Sequence, residues 1–177
     1  MVRVIRENDR GARPGEATTW ADIRAPRELI WELISDVKYI TAFQPEVIRA
    51  FRLDGTPKGP GEMMLLIFSQ NGKERTQTIL TVDEVAPAYA VTRVVGEENS
   101  GVETVHRLTS MSNGTRFEVT FKYTIPGQHR HYGPGYELHY KKAADAYLQR
   151  VKVIAENRWA VIQDDTEADE SGTATGK

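Results

Sequence analysis

The side chains best suited to acid–base work at neutral pH are the four histidines, and only His106 lies in a strand-like alternating run. In the stretch 102–108 (VETVHRL), Val102, Thr104, His106 and Leu108 fall on one face. With Leu108 turned inward, His106 is inward too. There it could serve as a general acid or base, or orient a ligand carbonyl, because its ordinary pKa lies near working pH. The plainer reading is a histidine hydrogen-bonded within a core or cavity wall, so His106 is a candidate and the catalytic set is otherwise unknown.

In the run 116–124, Phe117, Val119, Phe121 and Tyr123 alternate with Arg116, Glu118, Thr120 and Lys122, so the apolar set faces inward. Tyr123, Tyr136, Tyr140 and Tyr147 lie near the junction of this run with a helical segment, where they could stack on a flat ligand and offer phenol hydrogen bonds. Ordinary amphipathic packing accounts for them equally well. His129, His131 and His139 raise a metal reading, but no third ligand sits at a diagnostic spacing, and no metal or other cofactor is expected. The segment 126–135, rich in Gly, Pro and His, reads instead as a solvated loop, suited to a flap over a cavity mouth. The chain has no cysteine, which excludes disulfides, thiolate metal sites and cysteine nucleophiles. Ser69, Ser100, Ser110 and Ser112 lack a nucleophile-elbow context, and no Gly-rich phosphate cradle follows a strand.

These residues need a scaffold. Residues 17–24 read as a first strand stopped at Pro26, which suits the first turn of a helix over 26–34. Ser35 and Asp36 can cap a second short helix, 37–43, ending before Pro45. Six runs rich in Val, Ile, Thr, Phe and Tyr follow, at 47–53, 62–69, 76–85, 89–95, 102–110 and 116–124. Turn chemistry separates them, including Asn71-Gly72, Ala86-Pro87, Asn99 to Gly101 and Asn113-Gly114. The spacing predicts a long helix over 136–161, with Ala144, Leu148, Val151, Ala155 and Trp159 as one buried stripe. The order is strand, two short helices, six strands, long helix. It predicts an α+β fold in which a curved antiparallel sheet of about seven strands wraps around the last helix. The run 63–68 is apolar throughout, which leaves open whether Met63 or Met64 leads its inward face.

The segment IRAPRELIWELISDVKYITAFQPEV resembles the opening of the START-like (SRPBCC) superfamily, the birch-allergen-like helix-grip proteins. The Gly59/Gly61 turn, the corner VDEVAPAY, the turn Asn113-Gly114-Thr115-Arg116 and the closing YLQRVKVIAENRW are similar to the same family, closest to its polyketide cyclase/dehydrase-like branch. In place of the family's frequent Trp before the proline after the second helix, this chain has Phe43-Gln44. The resemblance implies structural roles for Trp31, Asp36, Pro45 and Gly114, and an internal cavity. The strand positions expected on its wall are Thr104, His106, Leu108, Phe117, Val119, Phe121 and Tyr123. The helix adds Tyr136, Tyr140, Ala144 and Tyr147.

The resemblance implies carriage or sequestration of a hydrophobic, aromatic or polyketide-like small molecule, antibiotic self-resistance included. The alternative is a polyketide aromatase/cyclase or dehydratase using the same cavity, with His106 and a tyrosine positioning water or moving protons; a third is a co-chaperone-like or other interaction module using the exposed sheet or the tails. Net charge is −2 with no basic stripe, so a nucleic-acid partner is not expected. No apolar run is long enough to span a bilayer, and stable membrane insertion is not expected. Residues 1–15 lack a signal's apolar run and read as a flexible arm, 16–163 as the domain, and 164–177 as a disordered acidic tail. The cysteine-free composition fits a cytoplasmic protein, expected as a monomer or weak homodimer.

Overall fold

The computed structural model describes residues 11–70, 72–96 and 101–172. Strand β1 (Arg13–Ile23) leads to α1 (Arg27–Ser35), a 3-10 turn (Val37–Tyr39) and α2 (Ile40–Phe43). Then come β2 (Val47–Arg52), β3 (Met63–Gln70), β4 (Lys73–Val85), β5 (Tyr89–Val95), β6 (Glu103–Met111) and β7 (Gly114–Ile125). A 3-10 segment (Gly127–Tyr132) precedes the long helix α3 (Gly133–Gly172). The seven strands form one antiparallel sheet in the order β1-β7-β6-β5-β4-β3-β2. This is the helix-grip arrangement predicted from the element order.

Local chemistry sets the corners. Pro26 takes an extended conformation (φ −62°, ψ 148°) as the N-cap of α1, one step before the first-turn position expected of it. Asp36 ends α1 and caps the following turn by accepting a hydrogen bond from the Lys38 N–H at 3.1 Å. Gly114 opens β7 at φ 135°, where a Cβ would lie 2.1 Å from the Ile23 carbonyl oxygen. The β6–β7 turn therefore closes against the end of β1 only because this position has no side chain.

The alternation on β6 and β7 runs as read: His106 is paired with Val119, Thr104 with Phe121 and Leu108 with Phe117. Leu108, Phe117 and Val119 are buried with Ile23, Ile30, Leu33 and Phe43. The α3 stripe Ala144, Leu148, Val151 and Ala155 completes this core, and Trp159 packs at its edge. Each fully buried side chain of Leu or Phe size contributes roughly 1.5–3 kcal/mol of transfer free energy. On the outer face, Arg116 pairs with Asp22 at 2.8 and 3.0 Å and lies over the Trp20 ring at 4.2 Å.

Several boundaries differ from the sequence expectation. Strand β1 begins at Arg13, inside the span read as an arm, because β7 extends to Ile125 and offers backbone partners as far as Arg13. Helix α3 begins three residues earlier than predicted and runs to Gly172, into the span read as a disordered tail. Polar composition does not prevent helix where hydrogen bonds propagate from an anchored segment. The segment read as a loop holds the 3-10 turn Gly127–Tyr132, tied by a 2.8 Å hydrogen bond between His129 Nδ1 and the Tyr136 hydroxyl. Residues 1–10, 173–177, Asn71 and 97–100, and the arm, tail and turn expectations attached to them, lie outside the described residues.

Candidate ligand-binding cavity

Helix α3 packs mainly on β1 and β7, at one side of the sheet. Over the concave surface of β3 to β6, a cavity of about 350 Å³ opens between the sheet, α2 and the middle of α3. That volume is within the range of pockets that enclose small ligands. On the sheet side it is lined by Met64, Leu66 and Phe68 of β3, Gln77 and Ile79 of β4, Thr92 and Val94 of β5, Thr104 and His106 of β6, and Phe121 of β7. Val102 lines it just before β6. Ile34, Ile40 and Phe43 close one end, and Tyr140, Ala143, Ala146 and Tyr147 form the helix side. The open face of β3 is thus the Met64 set.

The lining is apolar with a polar flank. Thr92 and Thr104 are register partners on β5 and β6, and His106 follows two residues along the same strand. His106 is 9 % exposed, and its Nε2 is buried without a hydrogen-bond partner. Its imidazole stacks on the Tyr147 ring at 5.7 Å and lies 5.6 Å from the Phe117 ring. Burial lowers its pKa from 6.5 to about 4, so the ring is neutral at neutral pH. The Tyr147 hydroxyl is raised by the same cause and stays protonated.

The mouth lies where Ala143 and Ala146 are exposed. Arg150 sits here, its Nε donating to the Phe43 carbonyl at 2.6 Å and its guanidinium 4.0 Å from Glu46. On a mostly solvated helix face Arg150 thus serves as an anchor: a carbonyl at the end of a four-residue helix has no partner within its own helix. Other charges of α3 are also anchors. Asp145 accepts from the Thr19 hydroxyl, Lys152 Nζ donates to the Asp22 carbonyl at 2.7 Å, and Glu156 accepts from the Arg24 N–H at 2.9 Å. Glu62, a charged residue just before β3, is 7 % exposed and paired with Arg52.

Of the residues expected on the wall, Thr104, His106, Phe121, Tyr140 and Tyr147 line the cavity. Leu108, Phe117, Val119 and Ala144 are inward but filled in as core. Tyr123 and Tyr136 belong to a separate aromatic cluster, with Tyr123 stacked on Tyr140 at 4.1 Å and on Tyr136 at 6.3 Å. The β4 and β5 contributions were missed because their inward face depends on register with β3. Toward the end of β4, a β-bulge between Thr81 and Asp83 shifts its pairing with β5. Among the described residues, no group of three or more His, Cys, Asp or Glu side chains is placed to hold a metal ion. No described helix is long and apolar enough to cross a membrane.

No family model and no curated protein matches the sequence. Solved structures do match the fold. The di-domain ARO/CYC StfQ from the steffimycin biosynthetic pathway aligns with TM-score 0.69 and 13% identity over 86% of this chain and 53% of its own. Protein NE0264 from Nitrosomonas europaea aligns with TM-score 0.65 and 12% identity, covering 82% and 96% of the two chains. Ara h 8.0201 aligns with TM-score 0.63 and 10% identity, covering 81% and 98%. At such identities the likeness is one of fold, the helix-grip arrangement of sheet and long helix.

Proposed function

We propose that the protein binds a hydrophobic small molecule in the cavity between α3 and the concave sheet, for carriage or sequestration. The observation that supports this reading is the lining: a 350 Å³ space bounded by Phe43, Met64, Leu66, Phe68, Ile79 and Phe121, with polar side chains such as Gln77, Thr92, Thr104 and His106 among them. Ala143 and Ala146 keep the helix side of the mouth low enough for entry. The cysteine-free chain suits action in a reducing cytoplasm.

Binding is favoured over the cyclase or dehydratase alternative by the chemistry of His106. A base held at about 4 is poorly matched to proton abstraction at neutral pH, and no carboxylate hydrogen-bonds to it among the described residues. The test is fluorescence titration with N-phenyl-1-naphthylamine, an uncharged apolar reporter. Saturable enhancement at one site per chain is the expected result. Absence of binding, with the protein folded, overturns the reading.

A further inference from the structure

The charges around the cavity restrict what it can hold. Among the described lining residues only Glu46 and Arg150 are formally charged, and they lie beside each other at the mouth. The guanidinium is further engaged by the Phe43 carbonyl. An anionic ligand would shed hydration on entry, and the cation of the described lining, Arg150, lies at the mouth with Glu46 beside it rather than along the apolar interior. At the inner end the position is reversed: His106 Nε2 is a buried polar atom still lacking a partner. Buried polar atoms are satisfied in the great majority of cases, so this one, on a residue that lines the cavity, lacks a partner that a ligand atom can supply.

We propose that the cavity selects an uncharged hydrophobic ligand carrying a hydroxyl group on its buried edge, with His106 Nε2 as that hydroxyl's hydrogen-bond partner. The inference rests on the cavity being a ligand site. A hydroxyl is specified because it both donates and accepts, so it pairs with the neutral imidazole whether Nε2 carries the proton or the lone pair. Thr104 on the same strand and Thr92 beside it supply further hydroxyls along the same flank, able to extend the contact to a second oxygen. The Tyr147 ring stacks on the face of the imidazole and fixes its plane, while the hydrogen bond of Nε2 is made at the ring edge, in that plane. Tyr147 is therefore a positioning residue, and His106 the one that touches the ligand.

The experiment is competition of naphthalene, 2-naphthol and 2-naphthoate against N-phenyl-1-naphthylamine at neutral pH, with the wild type and His106→Leu. In the wild type, 2-naphthol is expected to bind about tenfold more tightly than naphthalene, the usual worth of one buried hydrogen bond. The carboxylate is expected to be the weakest of the three. In His106→Leu the ratio of naphthol to naphthalene affinity falls to about one. Imidazole ¹⁵N spectra of the wild type give a second reading that does not depend on the variant folding: the His106 Nε2 resonance moves with 2-naphthol and not with naphthalene. Equal affinities of naphthol and naphthalene in the wild type, an unmoved Nε2 resonance, or a preference for 2-naphthoate overturn the inference while leaving the cavity as a ligand site. If the reporter and all three probes fail to bind, the failure lies with the cavity reading itself.

Discussion

The His106 and Tyr147 rings lie nearly parallel, 19° apart with centroids 5.7 Å from each other, one carried by β6 and the other by α3. They join the sheet to the helix at the wall of the cavity, and Phe43 of α2 meets the same tyrosine edge-on at 5.4 Å. Three elements distant in sequence thus converge on one aromatic contact, and the cavity opens beside it.

Stability should fall on mild acidification because of His106. Its folded pKa of about 4 lies below the ordinary 6.5, so between those values the unfolded chain binds the proton and the folded one resists it. The stability is fully present above 6.5, declines as pH drops, and is lost by about 4, a change of about 3 kcal/mol from this group. The lowered carboxyls of Asp22 and Glu32 act in a lower window, starting from their ordinary 3.8 and 4.5. Urea midpoints from neutral pH to about pH 4 check this. A folded His106→Leu variant should show a flatter profile; an unchanged slope contradicts the assignment.

Ala146→Trp should fill the cavity from the helix side. Ala146 lines the space and is exposed at its mouth, so the indole can enter without displacing core side chains. Binding of N-phenyl-1-naphthylamine should drop at least tenfold, with the melting temperature within a few degrees of wild type, since helix propensity changes by only about 0.5 kcal/mol.

The filled part of the interior should respond differently. Leu148 is 1 % exposed within the α3 stripe, and Leu148→Ala should cost about 2–5 kcal/mol in denaturant unfolding. Gly114→Ala should cost several kcal/mol, roughly 2 or more, because the new methyl group meets the Ile23 carbonyl at 2.1 Å and the backbone is in the glycine-favoured region.

Arg150→Met should loosen the mouth. It removes the hydrogen bond to the Phe43 carbonyl and the contact with Glu46, at a global cost of about 1 kcal/mol given its partial exposure. Amide exchange over α2 should quicken more than exchange in β6 or β7, because the loss is local to the end of α2.

The sequence made the scaffold legible where its signals were periodic. The alternation of Val102 to Leu108 and of Phe117 to Tyr123 oriented β6 and β7, and the stripe from Ala144 to Ala155 oriented α3. What it left obscure was which inward residues meet space and which meet each other. Phe117 and Phe121 have the same type and face, yet one is in the core and the other lines the cavity, because α3 leans toward β1 and β7. In sequence Arg150 is one charge among several on α3, and its role depends on where α2 ends, a tertiary fact. The uniformly apolar run of β3 gave no alternation to read, and only its pairing with β2 and β4 placed Met64, Leu66 and Phe68 inside.

The central claim is tested most directly by a two-dimensional amide NMR titration with N-phenyl-1-naphthylamine. The predicted result is saturable shifts concentrated on Leu66, Ile79, Thr104, His106 and Tyr147, with the outer-face positions Trp20, Arg107 and Glu118 unmoved. Shifts centred on the outer face of the sheet, or no shifts at saturating reporter, would contradict it.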